Sequence, residues 1–173
     1  AVGIAQGYAK VTDRALAVAV HSNVGLMHAS MGIFNAWCDR TPMLIMGATG
    51  PVDAAQRRPW IEWIHTTLDQ GGLVRDYTKW DDQPASPEAA VESVRRGVML
   101  ANTRPGGPVY INLDVSVQEA ELAAPPALNP ISLYDTPEDT EPPTAALARA
   151  VEILSKAKRP FFFCGRASRS LQG

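Results

Sequence analysis

The amino-acid sequence predicts an α/β fold with a mainly parallel sheet. The run Ala15–Val20 is apolar and short, which favours a strand covered on both faces, as the strands of parallel sheets are. A polar loop beginning at His21 follows it, and a helix rich in small residues comes directly after. Two more apolar runs, Met43–Met46 and Val109–Leu113, are predicted to be core strands. Ligands bind such sheets at the carboxyl ends of strands, so the loop at His21 is the first candidate site.

The segments between these strands have the spacing of helices and turns. Residues 1–10 place apolar side chains at helical spacing. Ser86 is an N-cap type of residue followed by proline and glutamate, so a helix is predicted to begin there and to run to about Asn102. The other predictions, in chain order, are a helix over Leu26–Asp39, a turn at residues 47–51, a short helix or turn after Pro59, and an edge strand over Leu73–Trp80.

The predicted helix over Leu26–Asp39 carries large apolar side chains on one side. This stripe consists of Met27, Met31, Phe34 and Trp37. Methionine and aromatic side chains at helical spacing are usually packed, so the stripe is predicted to lie in the core or at a subunit interface, and it is assigned no chemistry.

The composition of the chain changes at about Leu122. Residues 123–144 hold six prolines without a sustained period, which predicts an extended linker. Residues 1–122 are therefore predicted to form one domain, and residues 145–173 to begin another. A helix over Ala145–Ala157 and a strand over Pro160–Cys164 would be the first step of that second, incomplete, Rossmann-like domain.

Composition and charge exclude several classes of function. The 173 residues are 46% hydrophobic and 20% charged, which is typical of a globular protein. The net charge is −2 and no basic face stands out, so nucleic acid is not an expected partner. No apolar run reaches the length of a membrane helix. Cys38 and Cys164 are interpreted as buried thiols, which fits a soluble protein of the reducing cytoplasm.

The loop after the first strand carries the candidate site residues. His21 could cap the next helix or bind a main-chain carbonyl, and a functional role at the sheet edge is equally open. Ser22 and Asn23 are N-cap types of residue, and a cofactor contact is a second role open to both. Gly25 would allow a turn or a close approach to a ligand. The sequence predicts no metal ligands in this chain.

Other conspicuous side chains have less specific interpretations. His28 is expected to be a packing or interface residue, and His65 carries the weakest functional signal of the histidines. Arg57 and Arg58 are expected to be solvated, with a substrate carboxylate as the alternative partner. Trp60 and Trp63 are predicted to seal an interface, with a place at a substrate entrance as the alternative.

Several ordered motifs together resemble one enzyme superfamily. They are GYAK near the start, HSNVG, NAWCDRTP, GATGP and RPGGPVYINLDV, followed by the proline-rich linker. This pattern resembles the thiamine diphosphate enzymes of the acetolactate synthase, benzoylformate decarboxylase and pyruvate decarboxylase type. The resemblance implies a three-layer pyrimidine-binding domain over residues 1–122 and the start of the central domain after the linker.

The resemblance also implies an activity and cofactors. These enzymes decarboxylate or carboligate 2-oxo acids with thiamine diphosphate and Mg²⁺, and FAD is a further cofactor of the acetolactate synthase type. Their active sites are shared between subunits, which implies a homodimer or homotetramer. His21 matches an active-site histidine of benzoylformate decarboxylase, where the loop reads HSAAG, so proton transfer is its implied role. Gly25 falls on the turn that lies against the aminopyrimidine, and Ser22 and Asn23 are its neighbours.

Two family elements are expected to lie outside these residues. The family's catalytic glutamate would fall a few residues before Ala1, and the GDG-to-Asn metal motif would follow well after Gly173. The 173 residues alone are therefore expected to be inactive. Two alternatives stay open: a non-catalytic or degenerate relative that binds partners, and a stand-alone nucleotide-binding domain, which is disfavoured because no GxGxxG follows a predicted strand. The particular 2-oxo acid is not indicated.

Overall fold

The computed structural model describes residues 1–138, 140–163 and 165. The chain forms two compact units, Ala1–Thr136 and Pro137–Gly173. The boundary between the units lies within the proline-rich stretch. Residues 123–136 belong to the first unit, in which Arg95 donates a hydrogen bond to the carbonyl oxygen of Asn129 and lies over the ring of Tyr134.

The first unit is built on a four-stranded sheet. The strands are β1 (Leu16–Ala19), β2 (Met43–Thr49), β3 (Trp80–Asp82) and β4 (Pro108–Asp114), and their spatial order is β1-β2-β4-β3. All described pairings are parallel, with Val18 beside Ile45 and Ile45 beside Tyr110. The prediction of a parallel α/β sheet is therefore confirmed.

Helices cover both faces of this sheet. They are α1 (Val2–Thr12), α2 (Ser22–Cys38), the short α3 (Ile61–His65), α4 (Pro87–Asn102) and the single turn α5 (Val115–Gln118). Successive strand side chains point to opposite faces. Ile45 and Tyr110 accordingly pack in one core with α1 and α2, whereas Leu44 and Ile111 pack in a second core with α4. The result is a helix–sheet–helix arrangement of three layers.

Most predicted elements are present, with corrected bounds. Helix α2 begins at Ser22 instead of Leu26, because the chain turns into the helix directly after β1. Strand β2 continues through Thr49, where a turn was predicted, because residues 47–49 pair with the end of β4. Helix α4 begins as predicted, and the Ser86 hydroxyl oxygen accepts a hydrogen bond from the N–H of Ala89.

The predicted strand over Leu73–Trp80 is wrong. Residues 71–73 and 75–77 form short 3-10 turns, and only Trp80–Asp82 joins the sheet, at its edge. The cause is Arg75, which donates paired hydrogen bonds to the carboxylates of Asp69 and Asp81 and so bends the segment.

The structure corrects two expectations about burial. The α2 stripe of Met27, Met31, Phe34 and Trp37 is exposed, so a place in the core of this unit is wrong, and the subunit interface stays a prediction. The buried side of α2 is instead formed by Leu26, Ile33 and Ala36. Cys38, at the end of the helix, is exposed as well.

The second unit begins with a helix, as predicted. Helix α6 spans Thr144–Lys156, and Glu152 pairs with Arg149 and Lys156 on its surface. Residues 160–163 form no strand, contrary to the prediction, and Cys164 lies outside the described residues.

Candidate active site

The candidate site is at the carboxyl ends of β1 and β2. The main-chain N–H of Val20 donates to the carbonyl of Met46 at 2.8 Å and prolongs the pairing of these strands by one residue. His21 then occupies the N-cap position of α2, in an extended conformation, and its side chain makes no capping bond. The imidazole of His21 is exposed at this edge of the sheet, where ligands bind in parallel α/β folds.

The side chain of His21 is paired with a second histidine. Its Nε2 atom lies 3.3 Å from the Nε2 atom of His65, and the two rings meet edge to face with their centroids 4.9 Å apart. The other ring nitrogen of His65, Nδ1, lies 2.9 Å from the carbonyl oxygen of Ile61. The fold thus joins the predicted proton-transfer residue to the histidine that carried the weakest functional signal in the sequence.

Ser22 and Asn23 fasten α3 to the beginning of α2. The Ser22 hydroxyl donates to the carbonyl of His65 at 2.7 Å, and the Asn23 side-chain amide donates to the carbonyl of Ile64 at 3.1 Å. Both side chains are buried. The predicted N-cap role is wrong for both, because His21 occupies that position; the Asn23 side-chain oxygen instead accepts a hydrogen bond from the N–H of Val24.

The backbone of Ser22 adopts a left-handed conformation, with a φ of 48°. Such a conformation costs about 1–3 kcal/mol for a residue other than glycine, and it persists only where surrounding contacts hold it. The bond from the Ser22 hydroxyl to the carbonyl of His65 is one such contact. The chain therefore turns sharply from β1 into α2 at a cost that the attachment to α3 offsets.

Gly25 lies where the first turn of α2 approaches the end of β1. Its N–H donates to the carbonyl of His21 at 2.6 Å. A Cβ atom at this position would lie 3.1 Å from the carbonyl carbon of Val20 and 3.4 Å from the Cβ atom of His21. A side chain here would require its neighbours to move by a few tenths of an ångström, so glycine favours this close packing, and its φ is not positive.

A buried carboxylate lies on α3 beside the site. Glu62 is 4% exposed, and one of its carboxylate oxygens accepts a hydrogen bond of 2.5 Å from Nε of Arg58. The Thr66 hydroxyl donates to the Glu62 carbonyl at 2.6 Å. A Cβ atom at Gly50 would meet both the Thr66 hydroxyl and the Glu62 carboxylate, so a glycine after β2 is needed for α3 to dock.

A buried polar network lies on the face of the sheet that α2 covers. The Gln70 side-chain amide donates to the carbonyl of Ala48 at 2.9 Å and to the Tyr110 hydroxyl at 2.8 Å. The Tyr110 hydroxyl donates in turn to the side-chain oxygen of Asn112, whose amide donates to Gln83. Burial raises the pKa of Tyr110 to about 12, so the phenol stays protonated and remains a donor.

The other candidate side chains lie apart from this cluster. His28 is exposed on α2, and Trp60 and Trp63 are exposed around α3. Arg57 donates to the carbonyls of Pro51 and Val52, and Arg58 is partnered by Glu62. Sequence reasoning missed the burial of Glu62 and the pairing of His65 with His21. No local pattern signals either feature, because each depends on how α3 docks.

Neither a metal centre nor a membrane-spanning helix is found in the part of the chain that the structure describes. Among these residues, no group of three or more histidine, cysteine, aspartate or glutamate side chains could hold a metal ion. None of the described helices is long and apolar enough to cross a membrane.

The fold and the site define an α/β domain that presents a loop and a helix N-terminus at the carboxyl edge of a parallel sheet. Residues 1–73 match the family model described as thiamine pyrophosphate enzyme, N-terminal TPP binding domain. Together with the relatives and structures below, this match supports a thiamine pyrophosphate (thiamine diphosphate)-dependent enzyme N-terminal domain in this chain.

Curated relatives and solved structures agree with this assignment. The chain is 24% identical over 164 residues to benzoylformate decarboxylase of Pseudomonas aeruginosa, covering 95% of this chain and 30% of the relative. It is 30% identical over 164 residues to the acetolactate synthase large subunit of Lactococcus lactis, covering 93% of this chain and 27% of the relative.

The fold is similar to part of a benzoylformate decarboxylase from Polynucleobacter necessarius, with a TM-score of 0.74 at 21% identity over 92% of this chain and 28% of that one. The chain therefore spans less than a third of the length of these proteins.

Proposed function

We propose that this chain is the pyrimidine-binding part of a thiamine diphosphate and Mg²⁺-dependent enzyme that decarboxylates or carboligates a 2-oxo acid. The observation that carries the proposal is the exposed imidazole of His21 at the carboxyl end of β1, in a domain that matches this family. Curated relatives include a decarboxylase and a synthase, so the proposal covers both decarboxylation and carboligation.

The residues present fit an aminopyrimidine ring. Three buried side-chain oxygens have no hydrogen-bond partner among the described residues, and two of them, Thr49 Oγ1 and Gln70 Oε1, belong to residues near the carboxyl end of β2. Thr49 is the last residue of β2, at the same sheet edge as the candidate site. A ring that carries an amino group and ring nitrogens offers the donors and acceptors that such atoms require.

Ser22, Asn23 and Gly25 are the proposed cofactor contacts. The side chains of Ser22 and Asn23 already bind the carbonyls of α3, so their contribution would come from the main chain. Their N–H groups belong to the first turn of α2, where helix N–H groups have no partner within the helix. Gly25 would contribute by its lack of a side chain.

His21 is the proposed proton-transfer residue. When bound, thiamine diphosphate supplies the carbanion chemistry, and the protein supplies orientation and electrostatics. An imidazole can hold or release a proton near neutral pH, so His21 can protonate or deprotonate a ligand at the sheet edge. The side chains of Ser22 and Asn23 hold α3, and with it His65, in position beside His21.

The exposed α2 stripe supports an oligomer. Met27, Met31 and Phe34 are 54%, 65% and 42% exposed on one side of the helix. Contiguous apolar side chains on a soluble domain usually mark an association surface. We propose that a second copy of the chain covers this stripe. We further propose that the 173 residues alone turn over no 2-oxo acid.

The test is steady-state decarboxylation by the full-length protein with thiamine diphosphate, Mg²⁺ and a panel of aliphatic and aromatic 2-oxo acids. The His21→Ala variant is expected to lower kcat by about 100-fold or more, the usual contribution of a general acid or base. Binding of the cofactor, followed by quenching of tryptophan fluorescence, should change by less than a few-fold. The matched control is His28→Ala, an exposed histidine on the same helix, which should keep the wild-type kcat. Full activity of His21→Ala, or no turnover of any 2-oxo acid by the wild type, would overturn the proposal.

A further inference from the structure

The imidazoles of His21 and His65 are hydrogen-bonded through their Nε2 atoms, although 44 positions separate the two residues in the sequence. We propose that His65 is a positioning residue that fixes the protonation pattern of His21 and makes Nδ1 the atom of His21 that exchanges a proton with a bound ligand. This inference rests on the proposed function for its catalytic consequence, and on hydrogen-bond geometry for the pattern itself.

The contacts of His65 determine where its proton lies. The Ile61 carbonyl oxygen, 2.9 Å from His65 Nδ1, can only accept a hydrogen bond, so Nδ1 carries the hydrogen. In a neutral imidazole the other nitrogen is then unprotonated. The Nε2 atom of His65 therefore presents a lone pair towards His21.

The lone pair on His65 Nε2 determines the tautomer of His21. Its Nε2 atom is 3.3 Å from His65 Nε2, and of the two atoms it is the one that must donate. Neutral His21 consequently carries its hydrogen on Nε2 and its lone pair on Nδ1. Without this partner, a solvated imidazole exchanges its hydrogen between the two nitrogens, so the pair selects one tautomer.

Proton uptake by the pair has one favourable site. A proton added at Nδ1 of His21 makes an imidazolium whose Nε2–H still donates to His65, now as a stronger, charge-assisted hydrogen bond. A proton added at Nε2 of His65 would instead point two N–H groups at each other and break the bond. Release of the proton from Nδ1 of His21 to a ligand restores the starting state, and no other group gains or loses a proton.

The pair is held by hydrogen bonds from the side chains that follow His21 to main-chain carbonyls of α3. Ser22, the residue after His21, donates to the carbonyl of His65 itself, and Asn23 donates to the carbonyl of Ile64. The same stretch of chain therefore carries His21 and anchors the backbone of its partner. The arrangement allows His65 to orient His21 without touching the ligand.

The first test is the tautomer of each histidine. These 173 residues contain three histidines, and in nitrogen NMR of the full-length protein labelled with ¹⁵N-histidine their signals are assigned by substituting each of the three in turn. Above the titration range, we expect hydrogen on Nδ1 of His65 and on Nε2 of His21. His65→Phe, which keeps a ring but no acceptor, should return His21 to a mixture of tautomers. His65→Gln, whose side-chain oxygen can accept, should retain the Nε2 form, and His28→Gln should leave both signals unchanged.

The second test is kinetic and uses the full-length protein with its cofactors. His65→Phe is expected to lower kcat by about 10- to 100-fold, the equivalent of one hydrogen bond to a charged group, with KM changed less than threefold. His65→Gln should recover most of that loss. The pairing would be overturned, even in an active protein, if Nε2 of His65 carried hydrogen or if the tautomer of His21 were the same in His65→Phe as in the wild type. The expected tautomers without any turnover would instead overturn the proposed function and, with it, the role of Nδ1.

Discussion

Replacing Gly47 by alanine should destabilise the first unit severely, and the structure gives the reason. Gly47 lies in β2, and a Cβ atom built there would be 2.0 Å from the Tyr110 hydroxyl oxygen and 2.8 Å from two ring carbons. These distances are impossible, so the ring of Tyr110 must move. That ring is fully buried and holds hydrogen bonds from Gln70 and to Asn112.

The expected cost of Gly47→Ala combines two effects. Overpacking of a core costs about 1–3 kcal/mol, and each buried polar group that loses its partner costs about 1–3 kcal/mol more. The free energy of unfolding should therefore fall by about 3–5 kcal/mol, which is a large part of the total for a domain of this size. Urea unfolding followed by circular dichroism and tryptophan fluorescence measures the loss.

Two further variants make this prediction specific. Gly7→Ala is the matched control, because Gly7 is exposed in α1 with nothing within 4 Å of its added Cβ, and it should gain about 0.5–1 kcal/mol through helix propensity. The double variant Gly47→Ala, Tyr110→Phe removes the closest contact and should recover part of the loss. A Gly47→Ala protein within 1 kcal/mol of the wild type would refute the packing described for Tyr110.

Two other predictions concern the same unit. Burial raises the pKa of Tyr110 from 10.0 to about 12. The protonated phenol therefore contributes its full stability below pH 10, and this contribution is lost as the pH rises through 12. At about 1.36 kcal/mol per pKa unit, the loss approaches about 2.7 kcal/mol. Between pH 8 and 12 the free energy of unfolding should therefore fall less steeply with pH for Tyr110→Phe than for the wild type. Equal slopes for the two proteins would contradict the raised pKa. Ser86→Ala removes the 3.2 Å bond to the N–H of Ala89 and should cost about 1 kcal/mol in urea unfolding, whereas Ser86→Thr should keep most of it.

The strands and long helices could be predicted because their signals are local. Apolar runs gave β1, β2 and β4, and the N-cap serine before a proline gave α4. The segment before β3 could not be predicted in this way. Its alternation resembled a strand, but Arg75 reaches both Asp69 and Asp81, and these ion pairs between nearby residues favour turns over extension.

The candidate site was predictable in position but not in its contacts. The polar loop after a buried strand located His21 and Gly25 at the carboxyl edge of the sheet. The side chains of Ser22 and Asn23 bind carbonyls of a segment more than forty positions away, so their partners depend on the docking of α3. The same docking brings His65 to His21, and no periodicity in the sequence carries that information.

The attachment of α3 has a consequence for how the site can vary. Ser22 and Asn23 donate hydrogen bonds to main-chain carbonyl oxygens, which every residue has. These bonds do not depend on the side chains of Ile64 and His65. Substitutions at Ile64 and His65 can therefore change the shape and chemistry of the site entrance while the segment stays attached in the same place. Helix α3 has five residues and is too short to be stable alone, so its position depends on these main-chain contacts, while its side chains are free to differ.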